Sequence, residues 1–172
     1  MIQNKKLIFL KDFKKKKMDY INIECKDGTL SVRKRTDIFC INISKIFESD
    51  KKIDFKNYDI SIINQVYSIV NLNMKFNYEE NLNNFIPVCE ILKHFDTRFL
   101  KMFLDDFEEF CDYHNFRNTN IREEDENILK LFEIFEFIEI NYNKEYFKNG
   151  STIKHLKKLL KFDYEQILEE LK

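Results

Sequence analysis

Between Asp59 and Asn71 the sequence DISIINQVYSIVN carries two apolar stripes at helical spacing, Ile60, Ile63, Tyr67 and Val70 on one, Ile62, Val66 and Ile69 on the other. A helix that is apolar around most of its circumference has to be buried, not laid on a surface, so the flanking segments must wrap it. Before it, Ile53 and Phe55 read as a short strand; after it, Met74 and Phe76 read as a brief extended piece. A second apolar helix follows with Leu82, Phe85, Ile86, Cys89, Ile91 and Leu92. Pro87 lies within it and is tolerated if Asn84 is the N-cap, because a first-turn residue has no intrahelical use for its N–H.

This order of elements, with Glu80-Asn81-Leu82 opening the second helix and Val88-Cys89 ahead of Ile91-Leu92, resembles the BTB/POZ domain, of the superfamily shared with elongin C and the Skp adaptors of ubiquitin ligases. Other segments fit the same plan. Ile21, Ile23 and Cys25 alternate with Asn22 and Glu24, the pattern of a half-buried strand. Asp27-Gly28 then signals a hairpin, and Leu30 and Val32 face inward on the returning strand. Ile38 to Phe47 reads as two short apolar helical turns, and Ser44-Lys45-Ile46-Phe47 is similar to the end of the family's second helix. Asp96 starts a helix with Phe99, Phe103, Phe107 and Phe110 on one stripe, the family's last core helix. One departure is plain: Arg33, Lys34 and Arg35 stand where the family often has His-Lys and an apolar-Leu pair.

The expected fold is therefore α+β and mostly helical. A BTB/POZ-like domain over 20–114, with a small three-stranded sheet (Tyr20 to Arg33 plus Ile53 to Phe55) packed by helices, follows an N-terminal basic amphipathic helix over 1–19. NFRNTN at 115–120 is a linker. A helical annex over 121–172 contains one helix through Ile128, Leu131, Phe132, Phe135 and Ile138, and two more at Ile153 to Leu160 and Tyr164 to Leu171, the last with capping-box spacing at Asp163 and Gln166. Phe162 to Leu168 is similar to the helical repeats of a BACK domain, so the chain resembles viral BTB-BACK proteins without kelch repeats.

Composition excludes several function classes. With 29 Lys plus Arg against 30 Asp plus Glu the net charge is −1, which argues against nucleic acid as a partner. The chain has no Ala and no Trp but 18 Phe, a skew expected of AT-rich coding. No segment approaches the ~18 apolar residues of a membrane span. Cys25, Cys40, Cys89 and Cys111 sit in periodic apolar segments without close spacing, as expected of reduced core thiols in an intracellular protein. The expected location is the cytoplasm, with the nucleus as a second compartment if Lys14 to Lys17 is an import patch; a solvated loop accounts for that run better.

Catalytic chemistry finds no support. Gly28 and Gly150 are the only glycines, too few for a phosphate loop. Cys111, His114 and His94 are the nearest approach to a metal set, and one C-x-x-H does not supply four zinc ligands. Glu123 to Glu126 suits a helix N-terminus. No catalytic residue, cofactor, metal or small-molecule substrate is expected.

The resemblance implies a non-enzymatic adaptor that links a cullin-type ubiquitin ligase scaffold to a target or competes for that scaffold, often as a homodimer. It places the scaffold contact around residues 45–50, 71–78 and 96–101. Phe76 and Tyr78 are the candidate aromatic anchors, with Asp96 beside them; Phe76 pointing inward weighs equally. The alternative is a small all-α inhibitor of apoptosis or innate signalling, like viral Bcl-2-type proteins, which requires Tyr20 to Arg33 to be helical. Leu7, Leu10 and Phe13 form an apolar stripe on a helix too short to stand alone, since helices under ~12–15 residues are marginal in water; the resemblance implies that it docks on a second subunit as a dimerisation stripe. Deleting residues 1–17 is expected to convert a dimer to a monomer in sedimentation velocity, and a full-length monomer would remove that role from the stripe.

Overall fold

The computed structural model describes residues 20–33, 37–48, 53–111, 125–142 and 151–170; the candidate dimerisation residues Leu7, Leu10 and Phe13 lie outside them. Strands β1 (Tyr20–Cys25) and β2 (Gly28–Arg33) pair antiparallel, with Tyr20 opposite Arg33 and Cys25 opposite Gly28. Lys26 and Asp27 form the turn between them. Gly28 is the first residue of the returning strand, at φ 148°, a backbone conformation that suits glycine. The alternation works as read: Ile23 and Cys25 are buried, and Ile21, Leu30 and Val32 pack on the same core. An all-α fold is incompatible with this hairpin.

The sheet has two strands, not the expected three. Asp54 accepts a hydrogen bond from the Lys56 N–H at 3.1 Å and draws the chain into a 3-10 turn over Phe55–Asn57. Short side-chain-to-backbone bonds of this kind compete with extended pairing. The segment still lies along β1, held by Lys26 N–H donating to the Tyr58 carbonyl at 2.9 Å and by a Lys56–Glu24 ion pair.

Helix α1 (Ile38–Glu48) is one continuous helix, where two short turns were expected. Asp37 accepts from the Cys40 N–H at 2.8 Å, and Asn71, from the end of the next helix, accepts from the Phe39 N–H at 3.0 Å. Helix α2 (Ile60–Leu72) buries Ile62, Ile63, Val66 and Val70, with residues of both stripes inward. Asp59 occupies its N-cap position, but its side chain makes no capping bond. Asp27 of the hairpin turn supplies the carboxylate instead, accepting from the Ile60 N–H at 2.8 Å. The helix stops at Asn73, left-handed at φ 49°, a conformation asparagine tolerates better than most residues. Met74 to Phe76 has no regular structure.

A single turn, α3 (Tyr78–Asn81), and a 3-10 turn over Leu82–Asn84 lead into α4 (Phe85–Leu92), whose N-cap is Asn84. Pro87 is thus the third helical residue and breaks no helical bond. Helix α5 (Thr97–Phe110) begins at Asp96, which accepts from the Arg98 N–H, and buries Leu100, Phe103, Leu104 and Phe107.

Helix α6 (Asp125–Asn141) buries Ile128, Leu131, Phe132, Ile134, Phe135 and Ile138. Helix α7 (Ser151–Glu170) is unbroken where two helices were expected, so Asp163 lies within it and the Asp163–Gln166 spacing caps nothing. The two pack through stacked Phe132 and Tyr164, ring centres 4.2 Å apart, and a Lys157–Glu139 ion pair at 2.7 Å. Buried residues from Ile23 to Ile167 form one core cluster.

The Asp27 bond spans the hairpin and the central helix, so its removal has a defined signature. Asp27→Ala should lower stability by about 1 kcal/mol, the usual worth of an N-cap, while Asp27→Asn should lose much less. Urea unfolding of the two variants checks this, and equal losses would assign the effect to the turn, not to the cap.

Candidate interaction surface

Helix α1 has more apolar residues than one face can bury. Phe39, Cys40, Ile43 and Ile46 turn to the core, and Ile38, Ile41 and Phe47 are left exposed. Opposite Ile38 and Ile41, the chain leaving α4 (residues 93–96) and the first turn of α5 form the second wall of an open groove of about 1000 Å³. Phe95 and Phe99 contribute to that wall, and the rim carries Lys45, Lys93, Arg98 and Asp96.

A second, smaller groove of about 170 Å³ runs between residues 69–76 and the outer face of α5. Met74 and Met102 line it and are about half exposed. Its charged groups are Lys75 and Asp106. Phe99 lines both grooves.

Asp96 stands on this surface, where it organises the start of α5. Its carboxylate accepts from the Arg98 backbone N–H at 3.0 Å and from the Arg98 guanidinium through Nε at 3.0–3.1 Å and Nη2 at 2.7 Å. The Arg98 fork, with the backbone N–H and a smaller contribution from Lys45, holds the Asp96 pKa down at about 2.

Phe76 and Tyr78 are placed differently from exposed anchors. They are only 9% and 6% exposed, and both rings belong to the core. Phe76 packs edge-on against Phe103 at 5.2 Å, and Tyr78 stacks on Phe110 at 4.8 Å. The Tyr78 hydroxyl donates to the Phe103 carbonyl at 3.3 Å. Burial pushes that phenol well above its usual range, with Asp106 adding to the shift. The inward placement of Phe76 weighed from sequence is the one found, and the reason is aromatic packing. The apolar side chains that do reach solvent along this stretch are Leu72 and Met74. The other exposed apolar residues of the grooves, Ile38, Ile41 and Met102, had only one sequence signal, a surplus of apolar residues over what a helix face can bury.

Tyr58 donates to Glu90 at 3.0 Å, and burial, with that bond, pushes its phenol up to about 12. Burial raises the Cys89 and Cys111 thiols well above their usual range, which keeps them protonated and poorly nucleophilic. Among the described residues no group of His, Cys, Asp or Glu is arranged to hold a metal ion; His114 lies outside them. No helix among the described residues is long and apolar enough to cross a membrane. Compared with protein families, curated proteins and solved structures, the chain matches none.

Because the Asp96 pKa is lowered in the folded state from 3.8 to about 2, its charged form stabilises the fold above about pH 4. That contribution is lost as pH falls towards 2. The stability difference between the wild-type chain and Asp96→Asn should therefore be constant above about pH 4 and shrink below it. Thermal melts across that window measure this, and a difference that does not change with pH would separate Asp96 from the Arg98 charge.

Proposed function

We propose that this chain is a non-catalytic interaction module on a BTB/POZ-like plan with a BACK-like helical annex. It joins a cullin-type ubiquitin ligase scaffold to a target, or occupies that scaffold in competition with other adaptors, and it self-associates through the basic N-terminal segment. The observation that carries this reading is spatial. Parts of the three stretches the resemblance implicates, around 45–50, 71–78 and 96–101, line two grooves that share Phe99, and the one lined by Met74 and Met102 is the one given to the scaffold. That surface holds exposed apolar side chains that a chain with no further use for them would be expected to bury.

In this reading Met74 and Met102 take the part first given to Phe76 and Tyr78. An unbranched thioether adapts to a partner's shape, and methionine recurs at adaptable binding surfaces. The buried rings beneath act indirectly, by fixing the backbone that presents Met74. Lys75 and Asp106 at the same groove supply orientation more than affinity, as charges at an interface rim do.

Affinity capture of the full-length chain from cultured cells tests the proposal. A cullin is expected among the captured proteins, and Met74→Asp with Met102→Asp should abolish its capture without lowering the melting temperature. Absence of any cullin, or capture indifferent to both substitutions, would overturn the reading.

A further inference from the structure

The larger groove differs from the smaller one in charge. Its lining combines apolar Ile38 and Ile41 on one side and Phe95 and Phe99 on the other with three cations, Lys45, Lys93 and Arg98, one anion, Asp96, and His94. The single anion, Asp96, is already bound in both oxygens by Arg98. Lys45 and Lys93 are exposed and form no ion pair among the described residues. The chain as a whole is slightly acidic, so this local positive excess is a property of the groove.

The walls also constrain the shape of an occupant. One wall is the outer face of α1, where Ile38, Ile41 and Lys45 follow one another at helical spacing; the other is a loop running into α5. Neither is a strand edge, so an extended peptide would find no ladder to satisfy its backbone groups. A helix satisfies its own and offers a stripe of side chains.

We propose that the groove between α1 and residues 93–99 is a docking site for an acidic, amphipathic helical segment of a second protein. Its apolar stripe rests on Ile38 and Ile41, and its carboxylates meet Lys45, Lys93 and the outward side of the Arg98 guanidinium. Within the adaptor reading, on which this assignment of role rests, that segment is the target's: the scaffold takes the Met74–Met102 groove and the cargo takes the basic one. The docking step itself involves no covalent chemistry, and its affinity should fall with salt, because exposed charges are screened over about 8–10 Å at ordinary ionic strength.

The test uses the full-length chain and a fluorescein-labelled peptide about 14 residues long, ~four helical turns, made of Glu, Ala and Leu with Leu at i, i+3, i+4 and i+7. Fluorescence anisotropy should show saturable binding that weakens with added salt. Replacing the peptide's Glu by Gln should weaken binding, and replacing it by Lys should abolish it. On the protein, Lys45→Glu with Lys93→Glu should weaken binding roughly tenfold or more, as reversal of two rim charges does, and both side chains are exposed enough for the fold to be kept. Should that variant fail to fold, the Gln and Lys peptides still decide on the wild-type chain. Equal binding of the Glu and Lys peptides, or no saturable binding of the Glu peptide at low salt, would overturn the proposal. Cullin capture by the single Lys93→Glu variant, whose side chain lies outside the stretches given to the scaffold, should be unchanged. Peptide binding without any cullin capture would remove the adaptor role and leave the docking site standing.

Discussion

The fold depends on a cluster of aromatic rings centred on Phe85 and Phe107, whose centres are 4.3 Å apart. Phe103 stacks on Phe85 at 5.1 Å, and Tyr78 and Phe110 close the cluster from the side. Phe135 of α6 reaches Phe107 at 6.3 Å. Residues from α3, α4, α5 and α6 therefore meet in one place. A chain without Ala or Trp has few ways to tune helix spacing, and here phenylalanine does it. Each ring buries 150–250 Å² and prefers offset or edge contacts, which gives the packing a directional component beyond area. The consequence for function is direct: Phe76 and Tyr78 are committed to this cluster, so they are not on the surface to meet a partner.

A second constraint acts at the opposite end of α2. Asp27 in the hairpin turn accepts from the first amide of that helix, and Lys26 donates to the Tyr58 carbonyl just before it. The hairpin is too small to be stable alone. Its turn is instead part of the helix terminus, so hairpin and helix order one another. Gly28 belongs to the same arrangement, since its backbone angle sits where a side chain would be strained, and a Cβ there would lie 3.5 Å from Cδ1 of Ile60.

The surface follows from what the core leaves over. Because α1 directs Phe39, Cys40, Ile43 and Ile46 inward, Ile38 and Ile41 are forced to the other side. Because α2 ends at Asn73 in a left-handed turn, Met74 is displaced outward before the chain returns at Phe76. The grooves are thus consequences of the same packing that buried the two aromatic candidates.

The periodic features were legible from the sequence. Alternation at Ile21, Ile23 and Cys25 marked β1, the double stripe from Ile60 to Val70 marked a buried helix, and the phenylalanine spacing after Asp96 marked α5. Each is a local pattern whose burial follows from period alone. Asn84 as the N-cap ahead of Pro87 was legible for the same reason, because the backbone chemistry of proline leaves few places for it. Competition that periodicity does not reveal, local and non-local, decided the rest. Whether Ile53 to Phe55 would pair as a strand depended on Asp54 capturing a nearby amide, and whether α7 would break near Asp163 depended on continuous packing against α6. Which apolar residues of α1 face outward, and whether Phe76 and Tyr78 are anchors or core, could not be read from spacing. Several arrangements satisfy the same periodicity, and only the contacts across helices, above all the rings around Phe107, select one of them.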